Sequence, residues 1–186
     1  MHTSTKWLIT EIVIISLVLT LLGFAGYPLL LPYEWHKLLH IFGAIIFLGN
    51  IIVTGAWMFL AEQNKQRTTL HFASKVVNWA DVLFTAPGVL LILSNGLIMV
   101  TSWGGIGTSW IAVALGLFML SGIVWVGFLL GYQDRIIQLS SNPVSSDEQL
   151  PEAFFQVLHR WYFWGIVATI LPLISMILMV VKPRFW

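Results

Sequence analysis

The chain contains no cysteine. Disulfides, thiolate-bound zinc, iron–sulfur clusters and thiol nucleophiles are therefore excluded as chemistry of this chain. Any metal or cofactor has to be held by His, Met, Asp, Glu or backbone groups. Charge is almost as scarce. Only 9% of the 186 residues are charged, against about 25% in a soluble globular chain, so a water-facing surface cannot be built. Basic runs are missing and the net charge is +1, which gives no footing for nucleic acid. Long polar stretches are also missing, which leaves no room for a separate catalytic domain. No internal repeat is visible, and residues 1–186 read as a single transmembrane domain.

What is abundant is apolar. Hydrophobic residues make up 58% of the chain, with ten Trp, twelve Phe and four Tyr, enough for aromatic belts at two interfaces. A membrane span needs about 20 apolar residues, because a helix rises 1.5 Å per residue across a hydrocarbon core of about 30 Å. Five segments qualify, at about 8–31, 35–61, 72–101, 108–133 and 154–181. Their continuous apolar runs differ from the short alternating segments of a barrel, and lipid requires every backbone polar group to be satisfied internally. The fold class expected is all-α, a polytopic membrane helical bundle of five transmembrane helices in a lipid bilayer. The first segment is too long for a signal core and lacks a clean cleavage site, so it reads as a retained helix.

Five spans place the N-terminus, the 62–71 loop and the 133–153 loop on one side. That side carries Lys6, Lys65, Arg67, Lys75, Arg135 and Arg160; the other carries Lys37, Lys182 and Arg184. The positive-inside rule then puts the N-terminus in the cytoplasm and the C-terminus on the periplasmic or extracellular face.

Polar residues inside spans are costly and mark function or helix contact. In the second span His36, His40, Gly43, Phe47, Asn50, Thr54 and Trp57 step by 4 and 3, which puts them on one helical face. In the third, His71, Ser74, Asn78, Asp81, Thr85, Gly88, Ile92, Asn95 and Met99 do the same. Asp81 lies about ten residues into its span, about 15 Å deep. A short loop makes the two helices antiparallel neighbours. Matching depths sets Asn50 and Thr54 level with Asp81, and His40 level with Asn95. The two stripes are expected to face each other or a shared cavity. Asp81, Asn50 and Thr54 are the candidate catalytic or conducting groups; helix–helix adhesion is the plain alternative for the amides, hydroxyls and glycines.

Five histidines are present. His36 and His40, at i and i+4, have helical metal-ligand spacing. His71 and His159 enter the membrane at the opposite end, on different helices, and suit a haem held between them. For a haem centred on His40 the second ligand would come from a methionine such as Met99. Arg160 is placed to meet a propionate, a quinone-like anion or a lipid phosphate.

The run Trp35-His36-Lys37-Leu38-Leu39-His40-Ile41-Phe42-Gly43 with Gly49, the segment Asp81-Val82-Leu83-Phe84-Thr85-Ala86-Pro87-Gly88-Val89 to Gly96, and His159-Arg160-Trp161 with Gly165 resemble an uncharacterised bacterial membrane family, domain of unknown function 2269. The resemblance covers about 34–184; the first helix is less typical. The Lys37–His40–Gly43 spacing is also similar to helices of the membrane protoporphyrinogen oxidases, which bind haem b, and of the CopD-type copper-resistance family. The chain lacks the Pro-Arg-Leu-Phe run that follows this helix in the oxidases. The resemblance to domain of unknown function 2269 implies a helical membrane fold and no settled activity. With the histidines, the leading reading is a bacterial inner-membrane protein binding haem b in a redox or electron-transfer role, as a membrane oxidoreductase, with a quinone or redox protein as partner and a homo-oligomer as an open arrangement. Transport of a small solute, proton or metal ion along the Asp81 stripe is the rival reading, since Pro87-Gly88 suits a broken helix. A non-catalytic scaffold is the third.

Overall fold

The fold is seen in a computed structural model that describes residues 6–12, 14, 15, 17, 18, 31–141 and 150–186. Four helices long and apolar enough to cross a membrane lie among the described residues. They are α1 (Tyr33–Asn64), α2 (Arg67–Trp103), α3 (Ser109–Ser141) and α4 (Glu152–Val181). No strand occurs among the described residues. The expected span at 8–31 falls largely outside them; its residues 8–12 are helical. The four later expectations each match one of these helices, the third from one residue before its start, since 108 precedes Ser109.

The connections follow from local chemistry. α1 stops where Lys65 turns left-handed (φ 54°) and returns its N–H to Glu62 O at 3.1 Å. Two residues, Lys65 and Gln66, separate it from α2 and force an antiparallel pair. α2 ends in a tight turn at Gly104 and Gly105, with φ 88° and 91°, a conformation in which a side chain would be strained. α3 runs eight residues beyond the expected end of its apolar segment. That extension is amphipathic: Ile136 and Ile137 are buried, while on the other side Gln138 Nε2 donates to Asp134 Oδ2 at 3.0 Å.

Two helices contain a π-turn, in which a backbone N–H reaches five residues back rather than four. In α2 it spans Asp81–Thr85 and closes with Ala86 N–H on Asp81 O. It sits directly before Pro87, whose ring would clash with an ordinary helical carbonyl and which brings no donor. In α3 it spans Trp125–Leu129, closing with Leu130 N–H on Trp125 O.

The helices pack as two pairs, α1 with α2 and α3 with α4. In the first, glycines set the distance. A Cβ built on Gly43 would lie 2.7 Å from Leu91 Cβ and 2.9 Å from Gly88 O; one on Gly88 would lie 2.9 Å from Phe47 Cβ. In the second, hydroxyls bond across the interface: Ser121 Oγ donates to Ala168 O at 2.6 Å and Ser175 Oγ to Ala114 O at 2.9 Å. The pairs join at one end through an apolar cluster that includes Met58, Leu70, Val77, Ile136, Phe154 and Leu158. Large apolar side chains such as Ile45, Leu83, Ile123 and Phe163 point outward, as lipid contact requires.

At the opposite end the aromatic belt is visible in contacts. Trp103 Nε1 donates to Tyr33 Oη at 3.0 Å, Trp103 and Trp110 meet edge-to-face at 5.8 Å, and the Lys182 ammonium lies 3.8 Å from the centre of the Trp103 ring.

Candidate functional site

The two stripes face each other. At their centre Asn50 Nδ2 donates to Thr85 Oγ1 at 2.9 Å and to Asp81 Oδ1 at 3.3 Å. Thr85, one turn on from Asp81, donates its own hydroxyl to Asp81 Oδ1 at 2.7 Å. Thr54 is level with this group but turns its hydroxyl back to Asn50 O at 2.7 Å, an intrahelical bond.

Two further donors come from α3, and the stripe patterns had not revealed them. Gln133 Nε2 donates to Asp81 Oδ2 at 2.7 Å and Trp125 Nε1 reaches the same oxygen at 3.5 Å. The Gln133 amide is oriented from behind, because its Oε1 accepts from Asn78 Nδ2 at 3.0 Å. Asp81 is 5% exposed and Asn78 is fully buried. Four N–H or O–H donors from three helices thus converge on one carboxyl group. An ionised carboxylate is acceptor-only, with about four lone-pair sites, and four donors match it. All four donors are neutral groups; neither Lys nor Arg is among them.

Beside this group lies a cavity of about 710 Å³ between the helices. Asp81, Thr85, Thr54 and Gln133 form its polar wall; Phe47, Phe118, Trp125, Trp161 and Tyr162 supply rings. Both π-turns contribute residues to its lining, and such turns recur at functional sites.

The histidines separate into different roles. His36 is 3% exposed. Its Nε2 accepts the Leu31 N–H at 3.3 Å, so Nδ1 carries the proton and donates to Asn95 Oδ1 at 2.8 Å. Both nitrogens are occupied, and the lone pair an i, i+4 metal pair with His40 would need is spent. His40 sits at the expected level beside Gly96, but Asn95 pairs with His36. His40 Nδ1 donates to Ile92 O at 2.8 Å, which leaves Nε2 with a lone pair. His71 Nδ1 bonds Ser140 Oγ of α3 at 2.9 Å, whereas His159 Nε2 meets Glu62 Oε1 of α1 at 3.2 Å. These two histidines are thus turned to different partners. Arg160 is exposed and Met99 is buried. Among the described residues no histidine lines the cavity, and no group of three or more His, Asp or Glu able to hold a metal occurs.

One member leaves its stripe. Trp57 is half-exposed, and Met58 takes the buried position a turn after Thr54. A strict 3.5-residue step drifts by about 20° per heptad on a straight helix, so after three heptads the inward position moves by one residue.

Long apolar helices in antiparallel pairs, with a solvated carboxylate between them, define a polytopic helical membrane protein. The family model described as a predicted integral membrane protein, domain of unknown function 2269, matches residues 34–183, and the chain belongs to that family. No curated protein and no solved structure matches it.

Proposed function

We propose that the protein binds a small lipophilic molecule between its membrane helices and carries it, with Asp81 as the polar anchor of the site. One observation supports this above the rest: a cavity of about 710 Å³, within the usual range for ligand sites, has a mostly apolar lining and one fully hydrogen-bonded carboxylate in its wall. Helix adhesion alone accounts for Asn50 and Thr85 but gives no reason for the adjoining space. The π-turn before Pro87 supplies a point in the wall where α2 can bend. By the positive-inside count, the N-terminus of this carrier faces the cytoplasm of a bacterial inner membrane.

A haem b protein with a redox role is the second reading. It is favoured by His40, whose anchored Nδ1 leaves Nε2 as a ligand. Among the described residues of the cavity lining there is no histidine to offer such a group.

Tryptophan quenching tests the first reading, since Trp125 and Trp161 line the cavity. A brominated alkylbenzene titrated into the protein in liposomes is expected to give a saturable component of quenching. Gly122 also lines the cavity, and a Cβ there meets no atom within 4 Å, so Gly122→Phe fills space without a forced clash and is expected to abolish that component. Purely linear quenching, identical in both proteins, would refute the binding site. A Soret band in protein expressed with haem, lost in His40→Ala, would favour the second reading instead.

A further inference from the structure

We infer that the cavity selects a lipophilic cation without N–H donors, such as a quaternary ammonium, and this rests on the binding role proposed above. Charge complementarity gives the sign. Among the described residues, Asp81 is the one acidic side chain in the lining, and no Lys, Arg or His accompanies it. The carboxylate is solvated by neutral donors alone: Asn50, Thr85, Gln133 and Trp125. In its ionised form its negative field meets no cation among the described residues of that wall, and low dielectric strengthens it.

The saturation of Asp81 gives the type of cation. Two donors occupy each carboxylate oxygen, which uses the about four lone-pair sites available. A primary ammonium entering the cavity would bring three N–H donors and find these carboxylate sites taken. A quaternary nitrogen carries charge with no donor to satisfy. Its methyl groups suit the rings of Phe47, Phe118, Trp125, Trp161 and Tyr162, because ring faces attract such cations, most strongly where water is excluded. Phe47 and Phe118 stand 5.5 Å apart as a tilted pair.

Three ligands separate the claims: benzyltrimethylammonium, its neutral carbon isostere neopentylbenzene, and the smaller primary cation benzylammonium. Each is titrated as a competitor of the brominated probe against the full chain in liposomes. The expected order is quaternary cation first, by on the order of tenfold over the isostere, with benzylammonium weakest. Asp81→Asn is expected to bring the quaternary cation down to the level of the isostere in the same protein, with thermal unfolding of the variant certifying the fold. Should that variant fail to fold, Phe118→Leu is expected to narrow the preference for the quaternary cation over the isostere several-fold. If the isostere binds as well as the quaternary cation, or benzylammonium binds best, the inference is wrong while the cavity reading stands. If none of the three displaces the probe and the probe itself shows no saturable site, both fail.

Discussion

Asp81 gains its position from residues that donate to it rather than from an opposite charge. Removing it therefore strands several donors at once. Asp81→Ala leaves the Gln133 amide, the Thr85 hydroxyl and the Trp125 indole N–H facing an apolar space. An unmet buried polar group costs about 1–3 kcal/mol, so the expected loss is on the order of 3 kcal/mol, seen as a lower midpoint in thermal unfolding of the detergent-solubilised protein. An unchanged midpoint would mean that the network contributes nothing. The two histidines of α1 give a contrasting pair. His36→Ala deprives buried Asn95 of its partner and is expected to destabilise by about 1–3 kcal/mol. His40→Ala loses one bond to a helical carbonyl, Ile92 O, and is expected to cost about 1 kcal/mol. The reverse order in the same unfolding assay would contradict this division between the two side chains. In sequence they differ only by one turn; their separate roles depend on which atoms of α2 lie opposite, and spacing does not encode that.

The helices themselves were legible from apolar run length, because lipid permits so few alternatives. The pairing of α1 with α2 was legible as well, since polar and small residues at steps of 3 and 4 mark a contact face wherever the rest of a helix meets lipid. Gly43 and Gly88 are its tightest point, and the backbones leave no space for a larger residue. Gly88→Val is expected to cost about 1–3 kcal/mol through overpacking, read as loss of the folded species on heating. Gly49→Val, where a Cβ meets nothing within 4 Å, is expected to be tolerated. Equal damage from both would show that α1 and α2 do not cross at Gly43. The π-turns were not legible. Pro87 signals a break in α2, but whether the chain kinks or inserts one residue into a turn is decided by packing. In α3 no proline announces the turn at Trp125–Leu129.

On the scale of the whole molecule, Asp81 is where the two helix pairs meet. Its α1 and α2 partners were visible in the stripes. Its α3 partners were not, because Gln133 stands at the polar end of an apolar run and reads as the start of a loop. Only the continued winding of α3 to Ser141 turns it inward, where it is 5% exposed. The cavity was equally hidden, being a property of four helices together. Contact between α2 and α3 at Asn78 and Gln133, 3.0 Å apart through their amides, is what closes the site. The chain has no cysteine, so introduced pairs report without background. In intact membranes, Asn78→Cys with Gln133→Cys is expected to be joined efficiently by a short bis-methanethiosulfonate linker. The control pair Asn78→Cys with Gly131→Cys, Gly131 being exposed on α3, is expected to stay unlinked. Linkage of the control in preference to the Gln133 pair would turn that face of α3 away from Asp81 and remove the site.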